Sequence, residues 1–374
     1  MNTFGVYQAY YESGKLFVTT SSNISWIGSI QAFLMFLMSA VTGPIFDAGY
    51  LRLLLCCGTF GVVVGHMMLS LVHEYWQALL AQSFAIGLGA GALFMPSVAV
   101  LPQYFRGRLA TATGLAVSGS SVGGIVYPIM FSKLVHKIGF PWAVRTIGLF
   151  ALALLTIPLL TMKLRVKAPK KPLAFDTGIF KERTTMAFIL SGFFGYIGLQ
   201  IPFFYISFTV NAKGYASTQE SFYILAILNA ASVFGRTLPA MMADRVGALN
   251  MLIPTAAVSA LIAFAVIAAR SFAGMIVLAV LYGFWSGTYI ALPSSVFVSL
   301  TPPEKRHLIG IRMGIGFSLM GLGTLTGSPV AGVILGSEKN FTGVYAWCGS
   351  ALTTACVGFC IVRYMRVGMK AVKI

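Results

Sequence analysis

The feature that most constrains this chain is a recurring run of about twenty mainly apolar residues, the runs separated by short connections except at 163–184. Wound as a helix rising ~1.5 Å per residue, such a run matches the ~30 Å hydrocarbon core of a bilayer. About eleven full runs occur, at 24–46, 51–72, 76–101, 109–131, 141–162, 185–208, 219–242, 249–269, 273–299, 310–335 and 344–363. Residues 1–11 make about half of one more, a stub followed by the polar connection Glu12 to Asn23. Hydrophobic residues supply 57% of the chain and charged residues only 9%, whereas a soluble domain carries about a quarter charged. The expectation is an all-α membrane protein solvated by the lipid bilayer.

The formal net charge of +17 invites a nucleic-acid reading. The basic residues are not gathered on one face or tail, so nucleic acid is rejected as a partner. They fall mostly in every second connection. One set of connections holds Arg52, Arg106, Arg108, a central stretch with Lys163, Arg165, Lys167, Lys170, Lys171, Lys181 and Arg183, then Arg245, Lys305, Arg306, Arg312 and the tail Arg363, Arg366, Lys370 and Lys373. The other set holds only Lys15, Lys133, Lys137, Lys213, Arg270 and Lys339. Basic connections favour the cytoplasm, so the central loop and the C-terminus are expected there, with the plasma membrane as the location. The stub reads as the outer part of a helix whose cytoplasmic start is missing. The loop at 163–184, interrupted by Pro169 and Pro172, divides an N-terminal half at 1–162 from a C-terminal half at 185–363 and a tail at 364–374.

The halves repeat in register. Gly87 and Gly91 with Leu93 to Val98 recur as Gly283 and Gly287 with Ile290 to Ser295, an offset of about 196–197. Asp47 and Asp244, each closing an apolar run, share that offset, and Gly114 to Pro128 recurs about 200 positions later as Gly314 to Pro329. Parallel repeats of this kind are a transporter architecture. The cysteines Cys56, Cys57, Cys348, Cys356 and Cys360 lie inside apolar runs without ligand spacing and read as small core residues. His66, His73, His136 and His307 are scattered, so no metal or cofactor is expected.

Four stretches carry a resemblance: Ser25 to Gln31; Gly43-Pro44-Ile45-Phe46-Asp47-Ala48-Gly49-Tyr50-Leu51-Arg52; Tyr104-Phe105-Arg106-Gly107-Arg108-Leu109 on to Ser120; and Asn229 to Gly247. The chain resembles the major facilitator superfamily, and within it the monocarboxylate-transporter-like family, especially its fungal branch. The resemblance implies two parallel six-helix halves, the first helix truncated. It departs from the family where Gly107 and Leu109 interrupt a basic run, where Ser232 stands in the place of an aspartate of the proton-coupled members, and where much of the first helix is missing.

Arg236, in the middle of an apolar run, is the first candidate for function. A guanidinium keeps its proton, and hydrocarbon depth costs it roughly 2.5–3.5 kcal/mol on insertion scales. It pairs either with an anionic group such as a carboxylate or with backbone carbonyls that brace the bundle. Ser232 and Asn229, one and two turns earlier on the same face, line a polar cavity or bond between helices. Asp47 with Arg52, and Asp244 with Arg245, suggest paired gates: each carboxylate accepts from a neighbouring helix N-terminus or arginine. Phe284 and Trp285 suggest an apolar wall, and Tyr7 and Gln8 a contribution from the stub. Arg145 reads as snorkelling near the outer end of its run. Pro202 frees carbonyls that face a cavity or merely kink the helix.

No nucleophile–base pair or metal cluster lies within the runs, which excludes an enzyme, and the repeated halves exclude a seven-helix receptor. The expected function is alternating-access transport of a small organic, carboxylate-bearing molecule. Export of a secondary metabolite made by a biosynthetic gene cluster, or an inactive truncated chain, are the alternatives. With no acid beside Arg236, facilitated transport or proton coupling elsewhere is expected.

Overall fold

A computed structural model describes residues 3–166, 176–336, 338–368, 370 and 372. Most of the central loop's lysines and both its prolines, as well as Lys373, lie outside these residues. Among the described residues every regular element is helical. The helices are α1 (Phe4–Glu12), α2 (Ser21–Asp47), α3 (Leu51–Leu69), α4 (Tyr75–Tyr104), α5 (109–138), α6 (140–161), α7 (Arg183–Ala212), α8 (Thr218–Val246), α9 (Ala248–Ala268), α10 (Phe272–Leu300), α11 (Ile309–Leu335) and α12 (Phe341–Val367).

Helices α5 and α6 run together over Leu109–Thr161, 53 residues, a length of about 80 Å if unbroken. That is more than twice a bilayer core. Gly139, at φ 74°, breaks the helix, and Pro141 suits the first turn of the segment that follows. Counting this break, the ten helices long and apolar enough to cross a membrane become eleven crossings plus the short α1. Polar residues set the helix starts. Thr20 accepts from the Asn23 amide, and Ser217 and Glu220 cap α8 reciprocally. Gly247, at φ 106°, lets the chain leave α8.

Helices α1–α6 and α7–α12 meet along two glycine-rich seams, α2 against α11 and α5 against α8. A Cβ at Gly114 would lie 2.0 Å from the carbonyl oxygen of Arg236, and one at Gly314 would lie 2.2 Å from that of Ser39. The contacts therefore follow the sequence repeat: Gly114 matches Gly314, and Ser39 matches Arg236. Small residues let the backbones approach this closely. Within the C-terminal set, Gly283 and Gly287 meet Leu228 and Ser232, which joins α10 to α8 in the same way.

Some expectations change. Arg312 is not a solvated loop cation. It is fully buried in the first turn of α11, with Nη1 2.8 Å from Asp176 and 3.0 Å from Glu182 and Nη2 also on Glu182. Lys305 adds a 3.1 Å contact to Glu182. Hydrogen bonds from Arg312 hold the Glu182 carboxyl down to about 2, against its ordinary 4.5. Of the cysteines, only Cys348 is fully buried; Cys56, Cys57 and Cys360 are exposed on the helices' outer faces, where lipid rather than core surrounds them. Arg145 is tied down, with Nε donating to Ser70 Oγ at 2.9 Å and its guanidinium 5.0 Å from the Trp142 ring. The carbonyl that Pro202 frees, that of Gly198, accepts from Cys348 Sγ at 3.3 Å, and Leu199 O accepts from Tyr282 at 3.0 Å. Those carbonyls serve packing rather than a cavity.

Candidate functional site

Between the two helix sets lies a cavity of about 570 Å³, a size that suits a drug-sized organic molecule. Its walls are largely apolar. Phe36 stands edge-on to Phe94 and to Tyr196, with centroids 5.5 and 5.2 Å apart. Polar side chains interrupt this surface, notably Gln31, His66, Ser120, Gln200 and Arg236.

Arg236 reaches the cavity from α8 and is 1% exposed. Its Nη1 donates to Val117 O at 2.7 Å and to Ser120 Oγ, and its Nε donates to Ser232 Oγ at 3.2 Å. Ser232 in turn accepts from Ser121 Oγ at 3.2 Å. Ser232 thus fixes the guanidinium from behind while the α5 contacts hold its near edge. Among the described residues Nη2 has no hydrogen-bond partner, and no carboxylate forms a salt bridge with Arg236. All nine carboxylates of the chain sit at helix ends or in connections, and none lines the cavity.

Of the residues singled out in the sequence, Arg236 and Tyr7 line the cavity. Ser232 supports Arg236 from outside it. Asn229 is buried and donates to Leu225 O at 3.0 Å within its own helix. Phe284 and Trp285 lie off the cavity, packed on one another at 5.5 Å, because the backbone of Phe284 abuts Gly235 at the α8–α10 seam. Gln8 faces away and donates to Glu12 at 3.1 Å. Phe36 and Tyr196 carry no mark in the sequence, while Gln31 closes a stretch that carries the resemblance and Gln200 precedes Pro202, neither with a site role. Their helices are apolar nearly all round, so periodicity carries no mark of the inward face.

The two aspartates form a reciprocal pair. Asp47, at the end of α2, accepts from the Gly310 and Ile311 amides at 3.0 and 2.7 Å, at the start of α11. Asp244, near the end of α8, accepts from the Ala110 and Thr111 amides at 2.8 and 3.0 Å, and from the Thr111 hydroxyl, at the start of α5. Each carboxylate therefore caps a helix of the opposite set, where unpaired amides and the helix dipole favour an anion. Arg52 and Arg245 are exposed beside them. The Arg312 cluster shares this end of the bundle. The tail does too: Arg363 donates to Asn250 Oδ1 at 2.8 Å, and Asn250 donates to Val372 O at 2.8 Å.

Comparisons with known proteins point one way. A family profile described as the Major Facilitator Superfamily matches residues 2–309. The chain is 48% identical to an MFS-type transporter, dbaD, of Emericella nidulans over 363 residues, 96% of this chain and 81% of that one. It is 35% identical to the aspyridones efflux protein apdF of the same organism, covering 91% of this chain and 69% of the relative. The agnestins efflux protein AgnL12 of Paecilomyces divaricatus is also 35% identical, over 89% of this chain and 76% of its own. In fold, the chain matches the crystal structure of the human organic anion transporter MFSD10 with a TM-score of 0.69, covering 96% and 89% of the two chains at 15% identity.

Proposed function

The chain belongs to the major facilitator superfamily, a multi-pass membrane transporter, and from that premise we propose that it exports a small organic anion by alternating access. The observation that carries the reading is the buried Arg236 guanidinium on a cavity wall, which has no carboxylate partner and, among the described residues, no hydrogen bond from Nη2. A desolvated cation is stabilised strongly by an opposite charge, and the planar guanidinium suits a carboxylate or enolate. Export is favoured over uptake because relatives are named as efflux proteins. A secondary metabolite fits that direction.

The Asp47 and Asp244 caps act as the gate. They join the sets at one end of the bundle, proposed to be the cytoplasmic end because the basic connections gather there. The finer likeness to fungal monocarboxylate-transporter-like members rests on Tyr104 to Ser120 and Asn229 to Gly247, and an anionic cargo agrees with it. With Ser232 beside Arg236 in place of an acid, transport proceeds without a proton bound next to the anchor.

The test is transport of aromatic carboxylates by the full chain in liposomes. Arg236→Ala should insert normally yet move anionic substrates at least tenfold more slowly, the loss expected from a charge-assisted contact of about 1.5–3 kcal/mol. Unchanged transport in that variant would refute the anchor, and one proton moved per substrate would refute uncoupled movement.

A further inference from the structure

The cavity has a second polar end. Tyr7 on α1 and Gln31 on α2 both line it, at 5% and 8% exposure. Tyr7 Oη and Gln31 Oε1 are buried and have no hydrogen-bond partner among the described residues. Orphaned polar atoms of this kind are rare in folded proteins, and one acceptable reason is a group that arrives with the ligand.

Helices α1 and α2 are antiparallel and touch where a Cβ on Gly28 would meet the Phe4 ring. Tyr7 and Gln31 each lie one turn beyond that contact. Both side chains line the one cavity near this contact, so both orphaned atoms can be met by a group held there. A hydroxyl, both donor and acceptor, can give its proton to Gln31 Oε1 and accept one from Tyr7.

The distance to the anion anchor follows from the gate. Asp47 and Asp244 occupy the same end of the bundle. Gln31 lies sixteen residues before Asp47 and Arg236 eight before Asp244, so Gln31 sits about 12 Å further from that end at ~1.5 Å per residue. Between the two levels stand Phe36, Phe94 and Tyr196.

We propose that the substrate is two-ended: an aromatic or otherwise flat apolar body with an acidic group at Arg236 and a hydroxyl about 12 Å away at Tyr7 and Gln31. This deepens the anion-export reading and rests on it. A phenolic or hydroxylated aromatic acid has this form; a simple short-chain monocarboxylate does not span it.

The experiment measures binding to the purified full chain in nanodiscs. The probes are a biphenyl carboxylic acid with a hydroxyl at the far para position, the same acid without the hydroxyl, and the neutral carboxamide of the hydroxylated compound. The hydroxy acid should bind the native chain about fivefold tighter than the plain acid, the scale of one net neutral hydrogen bond. Tyr7→Phe, which keeps the ring 4.5 Å from Phe131, and Gln31→Leu should each bring that ratio toward one. Arg236→Ala should weaken both acids and leave the carboxamide alone. A ratio of one in the native chain, or a ratio that survives both α1 and α2 variants, overturns the second subsite while leaving the anchor standing. Acids that bind equally well with and without Arg236 overturn the anchor itself. Failure of either acid to bind the native chain overturns the substrate class proposed here.

Discussion

Replacing Asp244 with asparagine tests how tightly the two helix sets are joined. Asp244 accepts from two amides and one hydroxyl, at 2.8 and 3.0 Å for the amides. Asparagine keeps one acceptor oxygen and turns an NH2 toward a second backbone N–H, so one amide loses its partner. That loss, with the removal of a charge at a helix N-terminus, amounts to about 2 kcal/mol. Asp47, with only two amide donors, should give about 1.4 kcal/mol. If the state open at this end is the minor one, its population should rise about 30-fold for Asp244→Asn and about tenfold for Asp47→Asn. The assay uses a variant stripped of its five cysteines, with Ser97 on the cavity wall changed to cysteine. Labelling by a membrane-impermeant maleimide from the gated face then reports how often the cavity opens there. Labelling rates that match the parent in both aspartate variants would refute the gate.

Two further outcomes follow from the same end of the bundle. Gly314→Ala should raise labelling in the same assay, because its Cβ would sit 2.2 Å from Ser39 O and overpacking of that kind costs about 1–3 kcal/mol; unchanged labelling would show that the seam yields. The Glu182 carboxyl is depressed to about 2 from 4.5 in the folded chain. Its contribution to stability is therefore complete above pH 4.5 and is lost as the pH falls toward 2. Thermal unfolding in detergent should show that decline in the native chain and a shallower one in Glu182→Gln, and equal slopes would remove Glu182 as its source.

Hydropathy alone located the crossings, because span length is a property of the bilayer and leaves its trace in every run. The repeat offset alone links Asp47 with Asp244, since both serve one kind of helix end. Arg236 stood out because charge at depth is costly. What the chain order conceals is which face of an evenly apolar helix looks inward. That is why Phe284 and Trp285 read as wall residues although they lie off the cavity, and why nothing marks Tyr196 or gives Gln31 a site role. Arg312 was misplaced for a related reason: its carboxylate partners, Asp176 and Glu182, lie 136 and 130 positions away, so local composition showed only a basic helix start.

The guanidinium of Arg236 belongs to α8, yet its Nη1 partners, Val117 and Ser120, belong to α5 of the opposite set. Separating those helices breaks both bonds and strands a cation in an apolar cleft. In the proposed role, a bound anion takes over as partner at the moment the seam parts. The loaded protein then reorients over a lower barrier than the empty one. An uncoupled carrier must return empty on every turn, so the side chain that recognises the cargo also makes that return the slow step. Exchange of inside for outside cargo should therefore outpace net export.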